Sequence, residues 1–427
     1  MADVWYEISA SKLAPKMPGS DDNARLQAAR GVKYGHPTYS EMYMRERAAV
    51  LGPWEVFFPR LCAKLGLKVT GEVTVIGVND GQEVAILPAK SIAGYDIAEA
   101  ALERGQVWYP HINFQRMDIT TEVLPAKAAD VYLCLRTGHI FYEKQLGHIM
   151  SQAYANLKSG GQVVFSVPGG YMESDGQITF GQKVAGGIDT DKPMIDVKRI
   201  ADVMEKSGFR DVQIIDHRIE IFVVGFKPWT VLFVNGSPRK GGNSDQLIEQ
   251  LMSKASGLGF RAKTVRLRQH PGLKFCTGCD HCHHEDNPNI CVFKNDLFTL
   301  VVEPAMLEAD AVYLVSPSYQ GGVTGYMKVF MDRCEVFRKG RKLKGKLCGG
   351  AVIGGYAGGG QETVLAQMQA FTQIMAMRWI GAHGKRRSHL GGHLIAFEKG
   401  EVMDDAEGLV SAENVLIEMS SALKALA

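Results

Sequence analysis

The 427-residue sequence lacks any hydrophobic run of the length that a membrane-spanning helix requires. Such a helix needs about 18 consecutive apolar residues without charges, and no stretch reaches that length. The N-terminal segment carries Asp3, Glu7, Lys12 and Lys16, so it also lacks the continuous apolar region of a signal peptide. We therefore expect a cytoplasmic protein that does not enter a membrane.

An excess of charge of either sign is absent as well. Lys and Arg number 48 and Asp and Glu number 46, which gives a net charge of +2. This near-neutrality offers no whole-chain argument for binding nucleic acid or acidic membranes. With 46% hydrophobic and 22% charged residues, and no short tandem repeat or low-complexity tract, the composition is that of a folded globular protein.

Several catalytic patterns are also missing. The sequence has neither the G-x-G-x-x-G turn of dehydrogenase-type dinucleotide sites nor a G-x-x-x-x-G-K-[ST] phosphate loop. No Ser-His-Asp order and no pair of carboxylates argues for hydrolysis. A strand followed by a glycine-rich turn, however, occurs twice: residues 73–81 read VTVIGVNDG, and residues 231–244 read VLFVNGSPRKGGNS.

This duplication predicts two domains. About 150 residues per domain allows two or three in a chain of this length, and strand and helix patterns alternate throughout, as α/β layers require. Between the two turns, residues 225–230 (GFKPWT) contain Pro228, which cannot continue a central strand. We predict domains at residues 1–229 and 230–427, each a doubly wound three-layer α/β structure.

In the first domain, acidic residues follow the glycine turn at the ends of later strands. We expect a helix after Gly81, then a strand at residues 91–96 that ends in Asp96, and a third strand that leads to Asp118. Residues 129–134 and 161–166 predict two more strands. In a Rossmann-like unit the glycines let the backbone approach a nucleotide, and the acid after the second strand accepts hydrogen bonds from ribose hydroxyls.

These residues resemble the class I S-adenosylmethionine-dependent methyltransferases. The resemblance implies a Rossmann-like methyltransferase fold whose seven-stranded sheet ends in an antiparallel pair, here at residues 211–215 and 219–224. It also implies bound S-adenosylmethionine. By position, the methionine moiety falls to Gly77 and Gly81, the ribose to Asp96, and the adenine to Asp118 with Ile119.

Two residues depart from this family's pattern. Val75 stands where the family has an acid in the first strand, and Asn79 where a middle glycine is common. The alternative interpretation is a degenerate domain kept for dimerisation or for holding a substrate. In that case the acidic residues only cap helices or lie in solvated loops.

The second domain begins with a strand, a phosphate-type loop and a helix. The loop offers Ser237, Arg239, Asn243 and Ser244 beside the helix N-terminus. Hydroxyls, backbone amides and the helix dipole can hold a terminal phosphate there without a lysine or magnesium. A later strand leads into residues 316–333, SPSYQGGVTGYMKVFMDR, and in a sheet of order 2-1-3-4-5 the loops after the first and third strands face each other.

Residues 236–244 and 316–333 together are similar to the flavodoxin-like NAD(P)H-dependent FMN reductases. The resemblance implies a flavodoxin-like fold with the FMN phosphate on the first loop. It implies that the ribityl chain and isoalloxazine ring are surrounded by the second loop, at Pro317, Ser318, Tyr319, Gly321, Gly322 and Val323.

Four of the eight cysteines crowd into residues 276–291, CTGCDHCHHEDNPNIC. In a cytosolic chain such clustering indicates a metal centre before disulfides. Three thiolates at two-residue gaps plus a distal fourth can surround a cubane cluster. The segment resembles the iron-sulfur flavoproteins, whose compact motif in this loop binds a [4Fe-4S] cluster; the ligands would be Cys276, Cys279, Cys282 and Cys291, with a last gap longer than is usual there.

Two other interpretations of the cysteines stay open. His281, His283 and His284 are interleaved with them, and Cys/His tetrahedra are typical of zinc. Plain thiols in a relative that has lost its metal are the third interpretation. Cys62, Cys134, Cys334 and Cys348 lie in apolar surroundings and are expected in the core.

The resemblances imply an oxidoreductase in which FMN and a cluster convert two-electron into one-electron transfer, with NAD(P)H or a ferredoxin-like protein as a redox partner. They also imply methylation of the same small-molecule substrate. No acid–base catalyst is predicted, and we expect a homo-oligomer. The rival is a redox-responsive binding or regulatory protein with a degenerate methyltransferase domain. The basic run at residues 338–346 could attract an acidic redox partner, or it could be a solvated loop.

Overall fold

The structure is a computed structural model. It describes residues 53–426 except 127, 136, 138–140, 142, 169, 173–177, 181–196, 217–219, 270–271, 287–288 and 384–386. Residues 1–52 of the predicted first domain therefore lie outside the described residues. The chain divides into two compact units, Met1–Lys227 and Pro228–Ala427. In the described part of the chain, no helix has the length and apolar character needed to cross a membrane.

The first unit contains a seven-stranded sheet of order β3-β2-β1-β4-β5-β9-β8. The first five strands are parallel to one another, and β9 pairs antiparallel with both β5 and β8. The strands are β1 Glu72–Ile76, β2 Ser91–Asp96, β3 Ile112–Arg116, β4 Ala129–Cys134, β5 Leu157–Pro168, β8 Arg210–Asp216 and β9 Glu220–Phe226, with a separate hairpin of β6 Gly170–Met172 and β7 Ile178–Phe180. The expected seven-stranded methyltransferase-like sheet with its antiparallel pair is confirmed, although residue 219 of the predicted pair lies outside the described residues.

Apolar side chains cover both faces of this sheet because helices pack on each side. Along β1, Val75 belongs to one buried cluster and Ile76 to the other. Such two-sided burial explains why the parallel strands are nearly continuous hydrophobic runs. The helices are α1 Trp54–Lys64, α2 Glu99–Trp108, α3 Glu143–Asn156 and α4 Val197–Lys206.

The prediction of a helix after Gly81 is wrong. Residues 82–86 form turns, and the backbone N–H groups of Val84 and Ala85 both donate to the Gly81 carbonyl at 3.1 and 2.9 Å. Pro88 disfavours helical geometry at the preceding residue, so only about one turn is available. A single turn fixes several dihedral angles for one or two hydrogen bonds and does not propagate.

The second unit contains a parallel sheet of order β11-β10-β12-β13-β14, and β15 also pairs with β13. This is the 2-1-3-4-5 order of flavodoxin-like folds, so the expected fold is confirmed. The strands are β10 Trp229–Asn235, β11 Phe260–Arg266, β12 Ala311–Pro317, β13 Leu347–Gly354, β14 Arg378–Trp379 and β15 Gly392–Ile395. The switch point between β10 and β12 places their following loops side by side.

Helices cover both faces of the second sheet as well. They are α5 Asn243–Ala255, α6 Glu303–Glu308, α7 Gly325–Arg333, α8 Gln361–Ile374 and α9 Ala406–Leu426, with a short π-helix Phe298–Val302 before α6. Leu232 and Leu314 point into one buried cluster, and Phe233 and Tyr313 point into the other. Three layers result, and the loops that follow β10 and β12 lie at the carboxyl edge of the sheet.

Candidate functional site

The loop after β10 ends at the N-terminus of α5. Gly242 is the N-cap residue of α5, with extended backbone, and no side chain of the described residues caps the helix there. Ser237 and Ser244 are both buried, at 4% and 2% exposure. Backbone N–H groups at an uncapped helix start, together with two hydroxyls, form an anion site of the expected kind.

A buried carboxylate lies beneath this loop. Asp245 accepts hydrogen bonds from the Gly241 N–H at 2.6 Å and from Asn235 Nδ2 at 2.7 Å. It also accepts from Arg268 at 2.6 Å and from Arg266 Nε at 3.1 Å. Burial alone would raise the pKa of Asp245, but the Arg268, Gly241 and Arg266 hydrogen bonds outweigh it and hold the pKa below the ordinary value. Sequence reasoning missed this network.

The network supports the loop from below. Arg268 also donates to the Ser237 carbonyl at 3.1 Å, so Asp245 and Arg268 together bind both ends of the loop backbone. The two arginines balance the negative charge that Asp245 would otherwise present to an anion. The anion site therefore has a fixed backbone shape before any ligand arrives.

Two of the residues predicted to bind the phosphate, Asn243 and Arg239, are placed differently from Ser237 and Ser244. The Asn243 side chain donates to the Glu398 carbonyl at 2.8 Å and accepts from the Gly400 N–H at 2.7 Å. Its amide is thus engaged with the loop that precedes α9, and only its backbone faces the helix N-terminus. Arg239 is exposed, and its N–H donates to Ser237 Oγ at 3.2 Å.

The loop after β12 is a tight turn with fixed geometry. Tyr319 and Gly322 exchange backbone hydrogen bonds, both at 3.0 Å, and Gln320 and Gly321 between them have φ of 52° and 71°. Ser318 Oγ donates to the Gly359 carbonyl at 2.5 Å, which joins this turn to the loop after β13. The predicted ring-binding residues thus lie together on one rigid turn, and Tyr319 is 40% exposed.

Thr324 connects the two loops. Its hydroxyl donates to the Gly236 carbonyl at 2.6 Å and accepts from the Met327 N–H at 3.2 Å, as the N-cap of α7. A Cβ at position 236 would lie 2.9 Å from Met327 Cε and 3.0 Å from Met327 Cβ, so a larger residue there would require Met327 to shift. A phosphate on the first loop and a planar ring on the second would therefore be adjacent.

All four clustered cysteines line one cavity of about 50 Å³. Cys276 and Cys279 are exposed, Cys282 and Cys291 are half-buried, and none forms a disulfide. Burial raises the pKa of the Cys282 thiol. Within the described ranges, no group of three or more His, Cys, Asp or Glu side chains is arranged around a single metal-ion position.

A larger groove of about 840 Å³ extends from the cysteine segment, residues 276–291, to the ring loop, the loop after β12 that is predicted to surround the flavin ring. Cys276 and Gly278 line one side of it, and Gly322 and Val323 line the other. The helices α7 and α8 form its floor, with Phe371 and Met375 among the apolar residues. Cys276 and the loop after β12 therefore share one solvent-accessible space.

In the first unit, the predicted nucleotide residues lie at adjacent strand ends. Gly77 N–H donates to the Tyr95 carbonyl at 2.8 Å, and Met117 N–H donates to the Asp96 carbonyl at 2.9 Å. The ends of β1, β2 and β3 are thus side by side. Gly77 and Gly81 have φ of 70° and 85°, which accounts for glycine at both positions.

Asp96 already binds backbone. Its two carboxylate oxygens accept from the N–H groups of Asn79 and Ala98 at 2.8 and 2.9 Å. Burial raises the pKa of Asp96, and these hydrogen bonds oppose that rise. The Ile97 N–H also interacts with this carboxylate, which has about four lone-pair positions in all.

The remaining predicted residues of this site have local roles. Asp118 Oδ1 accepts from Thr120 N–H and Oγ1 at 3.0 and 2.6 Å, and so stabilises the turn after β3. Ile119 is 7% exposed. Val75, at 2% exposure, packs in the core and leaves no acid at the end of β1.

The family model of the NADPH-dependent FMN reductases matches residues 229–384. An iron-sulfur flavoprotein of Methanocaldococcus jannaschii is 31% identical over 185 residues, which cover 43% of this chain and 92% of that protein.

Two solved structures are similar to this chain. Human N-acetylserotonin methyltransferase, solved in complex with SAM, has 18% identity and a TM-score of 0.36, and the match covers 49% of this chain and 60% of that one. A WrbA-like flavodoxin of Agrobacterium tumefaciens has 15% identity and a TM-score of 0.33, covering 46% and 98%.

The strand order and the two loops define the second unit as an FMN reductase-like flavodoxin domain, which follows a methyltransferase-like fold. The chain belongs to the iron-sulfur flavoprotein family through this C-terminal half.

Proposed function

We propose that the protein is an oxidoreductase that binds FMN on the loops after β10 and β12 and a [4Fe-4S] cluster on Cys276, Cys279, Cys282 and Cys291. When bound, FMN takes up two electrons as a hydride, and a cluster passes electrons singly. The observation that carries this proposal is the groove that both the cysteine segment and the ring loop line.

The residues of the second unit fit FMN. The uncapped N-terminus of α5 offers backbone N–H groups and partial positive charge to a phosphate. Ser237 and Ser244 add buried hydroxyls at the same place. The turn from Ser318 to Gly322 offers the backbone N–H groups of Gln320 and Gly321 and the exposed Tyr319 ring.

The cysteine cavity fits a multinuclear cluster. A cubane distributes its four thiolates over four irons, so their sulfurs lie farther apart than the ligands of one ion. Four free cysteines line one cavity here, the number of thiolates that a cubane cluster requires. Thiolate is also the donor type that iron-sulfur clusters prefer.

The room in the groove and the charge of the basic run at residues 338–346 support particular redox partners. The groove has room for a small-molecule substrate or for the nicotinamide of NAD(P)H beside the ring loop. The basic run packs on the cysteine segment, because Lys339 Nζ donates to the His283 carbonyl at 2.6 Å. Its exposed cations favour an acidic electron carrier of ferredoxin type as donor or acceptor. Assembly into a homo-oligomer is part of the same proposal.

For the first unit we propose S-adenosylmethionine binding, and methylation of the substrate that the second unit reduces. The lone-pair position left on Asp96 suits a ribose hydroxyl, and the positive φ at Gly77 and Gly81 brings backbone close to the ligand. The buried Val75 favours the second candidate, a redox-responsive regulatory protein whose methyltransferase-like domain is degenerate.

One experiment tests the central proposal. Protein purified without oxygen is analysed by absorption spectroscopy and for flavin, iron and acid-labile sulfide. We expect about one FMN and about four iron and four sulfide atoms per chain. Stoichiometric zinc without iron or sulfide, in cells supplied with iron, would refute the cluster. Under nitrogen and with a one-electron acceptor supplied in excess, steady-state oxidation of NAD(P)H supports the enzyme, whereas a single reduction without turnover supports the regulatory protein.

A further inference from the structure

A buried ion pair forms part of the wall of the cysteine cavity. The side chains of Arg333 and Asp296 are 1% and 0% exposed. The two make a double contact, in which Arg333 NH2 lies 3.2 Å from Asp296 Oδ1 and NH1 contacts Oδ2. Arg333 is the last residue of α7, and its guanidinium lines the cavity together with the cysteines.

This pair holds both arms of the cysteine segment. Asp296 Oδ2 accepts from the Lys274 N–H at 3.1 Å, and Arg333 NH1 donates to the Lys274 carbonyl at 2.9 Å, two residues before Cys276. At the other arm, Arg333 NH2 donates to Cys291 Sγ at 3.4 Å. The guanidinium lies between the carboxylate and the sulfur, so the positive end of the pair faces Cys291.

One donor of this guanidinium remains available. Arg333 Nε is buried and has no hydrogen-bond partner among the described residues. The rings of Phe293 and Phe298 flank the guanidinium, with centroids 5.2 and 4.8 Å from Cζ. A buried charged donor without an acceptor is costly, and a cluster with thiolate ligands is an anionic acceptor of the right class.

We propose that Arg333, fixed by Asp296, is a positioning residue that secures Cys291 as the fourth cluster ligand and raises the reduction potential of the cluster. This inference rests on the proposed function. Reduction adds one electron and therefore one negative charge, which a fixed positive charge at the sulfur stabilises more than it stabilises the oxidised state. Hydrogen bonds to cluster sulfurs act in the same direction.

The test compares Arg333→Gln, Arg333→Lys and the double variant Arg333→Gln/Asp296→Asn in the full chain. The matched control is Arg261→Gln, which breaks an arginine–carboxylate pair with Glu308 at the surface of the same unit. Iron, sulfide and flavin contents are measured first. The reduction potential is then determined by a redox titration followed by electron paramagnetic resonance.

For Arg333→Gln we expect the ratio of reduced to oxidised cluster at a fixed potential to fall about tenfold, which is about 59 mV for one electron. Arg333→Lys should restore part of the lost potential. The double variant leaves no buried unpaired carboxylate, so its potential should fall by less than that of Arg333→Gln. Loss of iron with retention of flavin, rescued by lysine, also supports the positioning role.

Two results would overturn the inference while leaving the proposed function intact. One is an unchanged potential in both Arg333→Gln and the double variant. The other is joint loss of flavin and iron in both, which would mean that the pair serves the fold rather than the cluster. Wild-type protein without iron and sulfide would instead refute the proposed cluster itself.

Discussion

The Thr324 hydroxyl donates a 2.6 Å hydrogen bond to the carbonyl of Gly236, and both groups are buried. The two residues belong to loops that follow non-adjacent strands in the chain, β10 and β12. Thr324 is also the N-cap of α7, so one hydroxyl fixes the start of a helix and the spacing of the two candidate flavin loops. This contact therefore sets the separation of the two loops.

We expect Thr324→Val to weaken FMN binding several-fold and to lower the free energy of unfolding by about 1–3 kcal/mol, because a buried carbonyl loses its partner. Flavin fluorescence quenching and urea unfolding measure the two effects. Thr324→Ser keeps the hydroxyl and should bind FMN as the wild type does. An unchanged dissociation constant in Thr324→Val would contradict the role of this contact.

The lowered pKa of Asp245 predicts a pH dependence of stability. A carboxylate whose folded pKa lies below the unfolded value of about 3.9 stabilises the fold fully above that value, and the contribution is lost as the pH falls through the folded pKa. Unfolding by urea between pH 7 and pH 3 should show this decline in the acid range.

The Asp245→Asn variant should be less stable at pH 7 by about 1.5–3 kcal/mol, the usual contribution of hydrogen bonds to charged groups. Its stability should also depend less on pH in the acid range. Asp404→Asn, at an exposed carboxylate of the same unit, is the control and should match the wild type. Equal acid sensitivity of Asp245→Asn and the wild type would show that other carboxylates dominate.

Replacement of a clustered cysteine should separate the two cofactors. We expect Cys279→Ala to abolish the broad iron-sulfur absorption and to leave the flavin bands, since the FMN loops contain no cysteine. Cys291→Ala tests the distal ligand, where a nearby histidine could replace it. Cys348→Ala, a cysteine in the buried core, should keep its iron. Iron retained in full by Cys279→Ala would exclude that residue as a ligand.

The Asp96→Ala variant tests the proposed nucleotide site of the first unit. Removal of the ribose acceptor should weaken S-adenosylmethionine binding by about 1.5–3 kcal/mol, or about ten- to a hundredfold. Titration calorimetry under reducing conditions measures it, and flavin content should not change. Asp202→Ala, at an exposed position on α4, is the control. If the wild type binds no S-adenosylmethionine, the degenerate interpretation is correct.

The sequence predicts the layers well because the central parallel strands are buried on both faces and read as apolar runs, unlike the edge strands β3 and β11. The strand at residues 91–96 was predicted to the residue. The expected helix after Gly81 failed because periodicity does not reveal that Pro88 arrives within two turns. Local pattern therefore identifies the elements, and the nearest helix breaker decides whether a short one forms.

Side-chain partners are harder to predict than elements. Asp245 and Arg268 lie 23 residues apart, and Arg333 and Asp296 lie 37 apart. Strand order places their elements side by side, but register and rotamer decide which groups meet. Asn243 shows the same limit, since its side chain binds a loop 155 residues away. One sequence signal for the Asp245 network was available. An acidic residue stands at the start of a helix, and two arginines stand at the end of the next strand and just after it.

The contacts of Asn243 with Glu398 and Gly400 tie the start of α5 to a segment that follows residue 384, where the match to the FMN reductase family model ends. Local unfolding of the segment that carries β15 and α9 would therefore release the start of α5. If FMN binds at the proposed site, ligand affinity and the order of the C-terminal segment would be thermodynamically linked, and hydrogen exchange in that segment would report on occupancy of the site.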